Sequence, residues 1–318
     1  MIKIVQLGLV TLDLPGTLRL YSEGFGFNNA GATCLWGGMS EKITRIRSDS
    51  RNVIWWLVGQ RKFFQFEIFS YTCPVSQPLP TDWRPSDHGW TRFGVIVSDF
   101  EASLAGLKSN GVEPLTPPIE KAGRRHAAIR DPYMGAIIEV MESGKKKPEG
   151  PFVAYATNSV ADLEKSRKFY RDVLQAEILP LEQLHGPSDE ALWGLPGAER
   201  DGFLARVDDM LFEVVQYRNP VGRPKPAGYQ ISDQGIMNAA FASHQTKPIE
   251  QLIERLTAAG HVPPYVYNDG RIIAAYTIDP DCVLEYGCVP EEMLPIYGFV
   301  AAPFDFMGGG VALRKPAV

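Results

Sequence analysis

Phe66-Glu67, Tyr71, Pro74-Val75, Pro78, Pro80, Trp83, Ser86-Asp87 and Gly89 form a stretch that the chain writes twice. The second copy reads Phe212-Glu213, Tyr217, Pro220-Val221, Pro224, Pro226, Tyr229, Ser232-Asp233 and Gly235. Glu67 to Glu213 and Gly89 to Gly235 are both 146 residues apart, so no gap interrupts the match. A period this long is a duplicated half rather than a solenoid repeat.

Outward from the repeat, the same order of elements recurs. Residues 2–12 are rich in Ile, Val and Leu and stop at Asp13-Leu14-Pro15, a strand followed by a helix with Asp13 as cap. Leu18, Leu20 and Phe25 carry the helical stripe, and apolar strands follow at 53–58 and 62–71. A second round has a strand at 92–98, a helix capped by Asp99 and ended at Asn110-Gly111, and strands at 127–130 and 136–141. Residues 144–151 are a linker by composition. Beyond it come a strand at 152–160, a helix capped by Asp162, and strands at 202–207 and 210–217. The last round has a strand at 236–242, a helix at 248–259, and strands at 272–278 and 282–287. The aromatic, Gly-rich segment 291–318 matches no other part and is expected to pack on a cup or an interface.

Length and composition set the class. A chain of 318 residues, 45% hydrophobic and 22% charged, has material for two domains with proper cores. A net charge of −5 argues against a nucleic-acid surface, and the lone basic run, Lys145-Lys146-Lys147, reads as a solvated tether. Cys34, Cys73, Cys282 and Cys288 form no Cys-x-x-Cys pair and are expected reduced and mostly buried. The N-terminus meets Asp13 too soon for a signal peptide, and no run reaches the roughly eighteen apolar residues of a membrane span. The expectation is a cytoplasmic protein with no membrane partner.

The opening helix, Asp162-Leu163-Glu164-Lys165-Ser166 with Phe169-Tyr170-Arg171-Asp172-Val173-Leu174, resembles that of the vicinal oxygen chelate superfamily. The closing turns Asp131-Pro132 before Ile138-Glu139, and Asp279-Pro280 before Leu284-Glu285, are similar to that family too. The family includes glyoxalase I, bleomycin-resistance proteins and type I extradiol dioxygenases. The resemblance implies an α+β fold of four βαβββ modules forming two curved eight-stranded sheets. By analogy, residues 1–143 should form one glyoxalase-like cup from modules one and two. Residues 152–290 should form a second cup from modules three and four.

The resemblance also implies where chemistry would sit: on the first strand, seven residues before the capping position, and at a Glu on the last strand. These positions are Gln6 and Glu67, Arg92 and Glu139, Tyr155 and Glu213, and Asn238 and Glu285. Tyr276 matches the family's active-site Tyr. Extradiol dioxygenases place two His and a Glu where this chain has Tyr155, Asn238 and Glu285, so both imidazoles of an iron site are missing. Arg92 cannot ligate a metal, because it stays protonated and only donates. In the N-terminal cup it would set a cation between Glu67 and Glu139. In the C-terminal cup Glu213 and Glu285, with Tyr155 and Asn238, would lack a cation, as suits a general base or an oxygen-rich metal site. Any cofactor held by Glu213 and Glu285 would then be Mg or Mn rather than Zn or Fe, and a metal-free site is equally open.

Among the His residues, His126 could reach a cup, and His185 lies in a long loop of the kind that covers sites. His88 precedes Arg92 on the same strand face, while His244 and His261 are expected at the surface. Trp36, Trp55 and Trp56 are expected in the core. Three functions fit. The first is lyase- or isomerase-type proton transfer on a small aromatic or polyketide-like ligand. The second is a metal-dependent ring-cleaving dioxygenase with altered ligands. The third is a non-catalytic small-molecule binding or resistance protein. A homodimer built through the tail is open.

Overall fold

The computed structural model describes residues 1–144, 149–279, 282–303, 307–308 and 311–312. The three-lysine run and Pro280 lie outside them.

Four modules follow one another. The first has β1 (Lys3–Val10), β2 (Asn28–Trp36), β3 (Arg51–Val58) and β4 (Gln65–Cys73). The second has β5 (Gly89–Val97), β6 (Ile119–Lys121), β7 (Arg124–Arg130) and β8 (Ile137–Glu142). The third has β9 (Phe152–Ser159), β10 (Glu177–Leu179), β11 (Glu199–Val207) and β12 (Met210–Asn219). The fourth has β13 (Gly235–Ser243), β14 (Val266–Asn268), β15 (Ile273–Asp279) and β16 (Cys282–Cys288). The helices are α1 (Leu14–Arg19), α2 (Gly38–Thr44), α3 (Phe100–Ser109), α4 (Leu163–Lys168) and α5 (Thr246–Ala258). Asp13, Asp99 and Asp162 cap α1, α3 and α4 by accepting a backbone N–H three residues on, as expected. Gln245 occupies the same place before α5 without a side-chain bond.

The strands make two eight-stranded sheets, ordered β14-β15-β16-β13-β1-β4-β3-β2 and β10-β11-β12-β9-β5-β8-β7-β6. Module one therefore shares a sheet with module four, and module two with module three. The expected pairing of one with two and three with four is corrected, and residues 1–143 and 152–290 are halves of the chain rather than cups. The reason lies in the duplicated stretch. Its prolines fall between β4 and β5, and again between β12 and β13, so each copy carries the chain from one sheet to the other. The two crossovers clasp each other. Asp87 accepts the backbone N–H of Arg223 at 2.9 Å, and Asp233 accepts that of Gln77 at 2.9 Å. Asp87 is fully buried and also takes the Arg223 guanidinium, at 2.7 Å.

Alternation along each strand sorts the faces. Phe66 packs against Phe93 with ring centroids 5.3 Å apart, and Phe212 against Phe241 at 5.6 Å, inside the main core with the helices. Glu67 and Glu213, one residue on, face the opposite way into the two cups. Close helix packing in the first half needs glycine: a Cβ on Gly106 would sit 2.1 Å from the Glu23 carbonyl oxygen.

Other expectations are adjusted. Of the four free cysteines only Cys288 is buried, and Cys34 is exposed. Trp36, at the end of an edge strand, is 72% exposed rather than core, whereas Trp56 is buried. His244 is half-buried, stacked on Phe63 and bonded to the Val289 carbonyl at 2.9 Å. His261 is half-buried against the Phe169 ring. No helix among the described residues is long and apolar enough to cross a membrane.

Candidate functional site

The new pairing redistributes every candidate residue. Gln6, Glu67, Asn238, Tyr276 and Glu285 meet in the cup of modules one and four. Arg92, His126, Glu139, Tyr155 and Glu213 meet in the cup of modules two and three. Glu213 and Glu285 lie on different sheets, so the metal pair expected of them does not exist. Arg92 does not separate Glu67 from Glu139. It belongs to Glu213, with 2.5 Å between Arg92 Nη2 and Glu213 Oε2.

The cup of modules two and three is filled. Arg92, Glu139, Tyr155, Glu190 and Glu213 are all fully buried, and His185 is 1% exposed. The connection between β10 and β11 folds into this cup, with Leu192, Trp193 and Leu195 in its apolar lining. His185 Nδ1–H donates to Glu213 at 2.9 Å, and its Nε2–H donates to Glu139 at 3.0 Å. Both ring nitrogens donate, so the ring is an imidazolium. Its pKa is pushed up to about 9: burial opposes the charge, but Glu213 and then Glu139 outweigh it. Burial would likewise raise Glu213 and Glu139. The neighbouring Arg92 and His185 hold Glu213 well below the ordinary carboxylate range, and His185 with His126 does the same for Glu139. His126 Nδ1–H reaches Glu139 at 2.7 Å, and the Tyr155 hydroxyl donates to Glu139 at 2.5 Å. Arg200 pairs with Glu190, and Trp193 lies 4.1 Å from the Arg92 guanidinium, over the ring face. Three carboxylates thus face three cations, and no carboxylate is left to act on a ligand. No periodic signal marks His185, Glu190, Trp193 or Arg200. The length of their loop was the one clue to their place.

The cup of modules one and four is open. A pocket of about 90 Å³ is lined by Gln6, Gln65, Glu67 and Glu285, with Trp56, Tyr297 and Phe299 among its walls. Tyr297 and Phe299 come from the segment after β16, which also docks through the Ala302 N–H to the Asn29 carbonyl, 2.7 Å. Apolar side chains, including Val10, Ile54, Phe69 and Tyr71, fill the cup beyond the pocket.

The two glutamates share one donor: Gln6 Nε2 gives hydrogen bonds to Glu67 at 2.5 Å and to Glu285 at 3.1 Å. Glu285 also accepts from the Tyr276 hydroxyl at 2.6 Å and from Asn238 Nδ2 at 3.2 Å. Glu67 accepts from Trp56 Nε1 at 3.2 Å. No Lys, Arg or His is among the described residues lining the pocket. Burial and the charge of Glu285 therefore push Glu67 up to about 8, against the bonds from Trp56 and Gln6. Burial raises Glu285 as well, and its bonds from Tyr276, Asn238 and Gln6 oppose the rise. With more donors aimed at it, Glu285 is the better anion, and Glu67 is the neutral acid at pH 7.

Two carboxylates with two amide oxygens would be a hard-cation donor set. The arrangement does not fit one. The Gln6 amide nitrogen, a donor, is turned to both carboxylates, and Gln6 Oε1 is taken by Gln65 Nε2 at 3.1 Å. Among the described residues no group of three or more His, Cys, Asp or Glu side chains is placed to hold a metal ion. The chemistry this cup offers is a base and an acid side by side.

No protein-family model and no curated protein matches this chain. Solved structures do. A Bacillus subtilis subsp. subtilis str. 168 protein, provisionally described as a dioxygenase, superposes with a TM-score of 0.61 at 12% identity, covering 92% of this chain and 89% of its own. Glyoxalase I from Zea mays superposes with a TM-score of 0.57 at 17% identity, covering 91% of this chain and 92% of its own. These likenesses, with two eight-stranded sheets built from four modules, give the chain the vicinal oxygen chelate, or glyoxalase-like, fold.

Proposed function

We propose that the cup of modules one and four moves a proton beside a carbonyl on a small organic metabolite, a lyase- or isomerase-type reaction. The observation that carries this is the pair Glu67 and Glu285, bridged by one amide and facing a pocket lined by no cation. Glu285, ionised, takes a proton from the carbon next to the carbonyl: the C–H bond breaks and its electrons move to the carbonyl oxygen. Glu67 gives its proton to that oxygen, and return of a proton to carbon completes the shift. Trp56 and Gln6 fix the Glu67 carboxyl, while Tyr276 and Asn238 fix Glu285, so neither acid nor base must reorient. The aromatic walls suit a flat substrate.

Solvent deuterium wash-in tests the reading. A panel of α-hydroxy ketones, 2-oxo aldehydes and aryl ketones is incubated with the protein in D2O and followed by proton NMR. At least one member should exchange the hydrogen beside its carbonyl, and Glu285→Gln should slow that exchange by about 10²-fold or more while folding normally. Exchange in no member, or full exchange by the Glu285→Gln protein, would dispose of it. Ligand binding without exchange would favour a sequestering protein.

A further inference from the structure

Counting donors and acceptors in the open cup points to the ligand it takes. Each amide, indole and hydroxyl donor named there already makes a hydrogen bond inside the protein, which leaves the Glu67 O–H and one N–H each on Gln65 and Asn238. Gln6 Nε2 serves both glutamates, Trp56 Nε1 serves Glu67, and Tyr276 and Asn238 serve Glu285. Gln65 Nε2 serves Gln6. Two buried acceptors, by contrast, have no partner at all. Gln65, 3% exposed and lining the pocket, has its Oε1 without a partner. Asn238 Oδ1 behind it is also unpaired, directed over Gly8, where a Cβ would come within 2.0 Å. Glu285, the ionised member, takes its three bonds on Oε2 and keeps Oε1 to spare, since a carboxylate accepts about four hydrogen bonds.

Buried acceptors without donors are costly, and native proteins leave few of them. A pocket of this kind is unfinished until something brings N–H groups into it. The lining adds a sign to that demand: two acids, no base, and rings from Trp56, Tyr297 and Phe299, whose π faces attract cations. An anionic ligand would meet the charge of Glu285 with no cation among the described lining residues to offset it.

We infer that the cup recognises a cationic nitrogen carrying N–H groups, a primary ammonium or amidinium, set close to the reacting carbonyl. The inference rests on the proton-transfer reading above and names its substrate class: amino-substituted carbonyl compounds. The ammonium bonds Gln65 Oε1 from the pocket in the field of the Glu285 carboxylate, while its organic part lies against Tyr297 and Phe299. Anionic carbonyl compounds are excluded by charge. Neutral ones lose the hydrogen bonds.

Calorimetric titration of the full chain at pH 7 with benzylamine, benzyl alcohol and benzoate separates these cases, because the three share one ring and differ in charge and donors. Benzylamine should bind at least tenfold tighter than benzyl alcohol, and benzoate should give no binding heat. Gln65→Met, close in shape and without the acceptor oxygen, should weaken benzylamine several-fold and benzyl alcohol, whose lone donor is an uncharged O–H, by clearly less. Phe299→Leu should weaken benzylamine through the lost ring face. Equal affinity for benzylamine and benzyl alcohol, or tighter binding of benzoate, overturns the inference. So does saturable binding of Mn²⁺ alone that Glu285→Gln abolishes, since the acceptors would then serve a metal. Wash-in on neutral ketones without benzylamine preference sinks this inference and leaves proton transfer standing. Benzylamine preference without wash-in does the reverse.

Discussion

Glu67 and Glu213 are the same residue of a duplicated stretch, each opposite the first strand of its module, and they end in opposite charge states. Glu67 pairs in register with Gly8 and Glu213 with Thr157. Glu213 receives Arg92 and His185 and stays ionised far below its ordinary pKa. Glu67 receives only neutral donors beside a second carboxyl, and holds its proton to about pH 8. One duplicated position is a buried ion pair in one cup and a carboxyl that keeps its proton beside a second carboxyl in the other.

The filled cup makes a stability prediction. Replacing His185 by Ala removes the cation between Glu139 and Glu213 and leaves two fully buried carboxylates facing each other. Breaking such a pair by deleting one partner costs about 3–5 kcal/mol. Denaturant unfolding should show that loss, with any proton exchange catalysed by the other cup, as proposed for it, retained below the melting temperature. Added imidazole should restore part of the lost stability by refilling the gap.

Stability should also fall on the alkaline side. His185 rises from 6.5 to about 9 on folding, so its contribution is complete below about pH 6.5 and disappears as pH climbs through 9. The shift is worth up to about 3 kcal/mol. Glu67 works in the same direction, because a carboxyl raised from 4.5 to about 8 weakens the folded state as pH rises between those values. Glu139 and Glu213 are depressed, so their contribution is present above the ordinary carboxylate pKa and is lost as pH falls. Calorimetry should therefore place the highest melting temperature between about pH 5 and 6.5. His185→Ala and Glu67→Gln should each flatten the alkaline limb. A melting temperature that climbs from pH 6 to 9 contradicts both assignments.

Asp87 and Asp233 tie the crossovers together, and each reaches across to the other copy's backbone. Replacing either by Ala should cost about 1.5–3 kcal/mol, the range for a hydrogen bond to a charged group. The double variant should depart from additivity by at least about 0.5 kcal/mol, since both bonds close one clasp. Strict additivity in urea unfolding would mean that the crossovers act independently.

Much of this was legible in the chain. The 146-residue register marked the halves, the capping Asp residues marked the first helix of three modules, and all eight inward positions do face a cup. The partnership of the modules was not. Each half carries the same signals, and nothing local says whether a proline-rich crossover stays on its own sheet or passes to the other. That one choice moved Glu67 from beside Arg92 to beside Glu285, and with it the whole electrostatic argument. His185 was hidden for another reason: a loop side chain that enters a cup has no period to betray its direction. The strand 28–36 was missed because Asn28-Asn29, Gly31 and an exposed outer end dilute its alternation.

The account stands on one shared proton in the open cup, and carbon-13 NMR of the glutamate carboxyls, assigned with Glu67→Gln and Glu285→Gln, measures it directly. One resonance, lost in the Glu67→Gln protein, should titrate near pH 8, while those of Glu139 and Glu213 stay ionised through neutrality. If Glu67 titrates near its ordinary 4.5, both carboxyls are charged at pH 7 and the acid-and-base assignment fails.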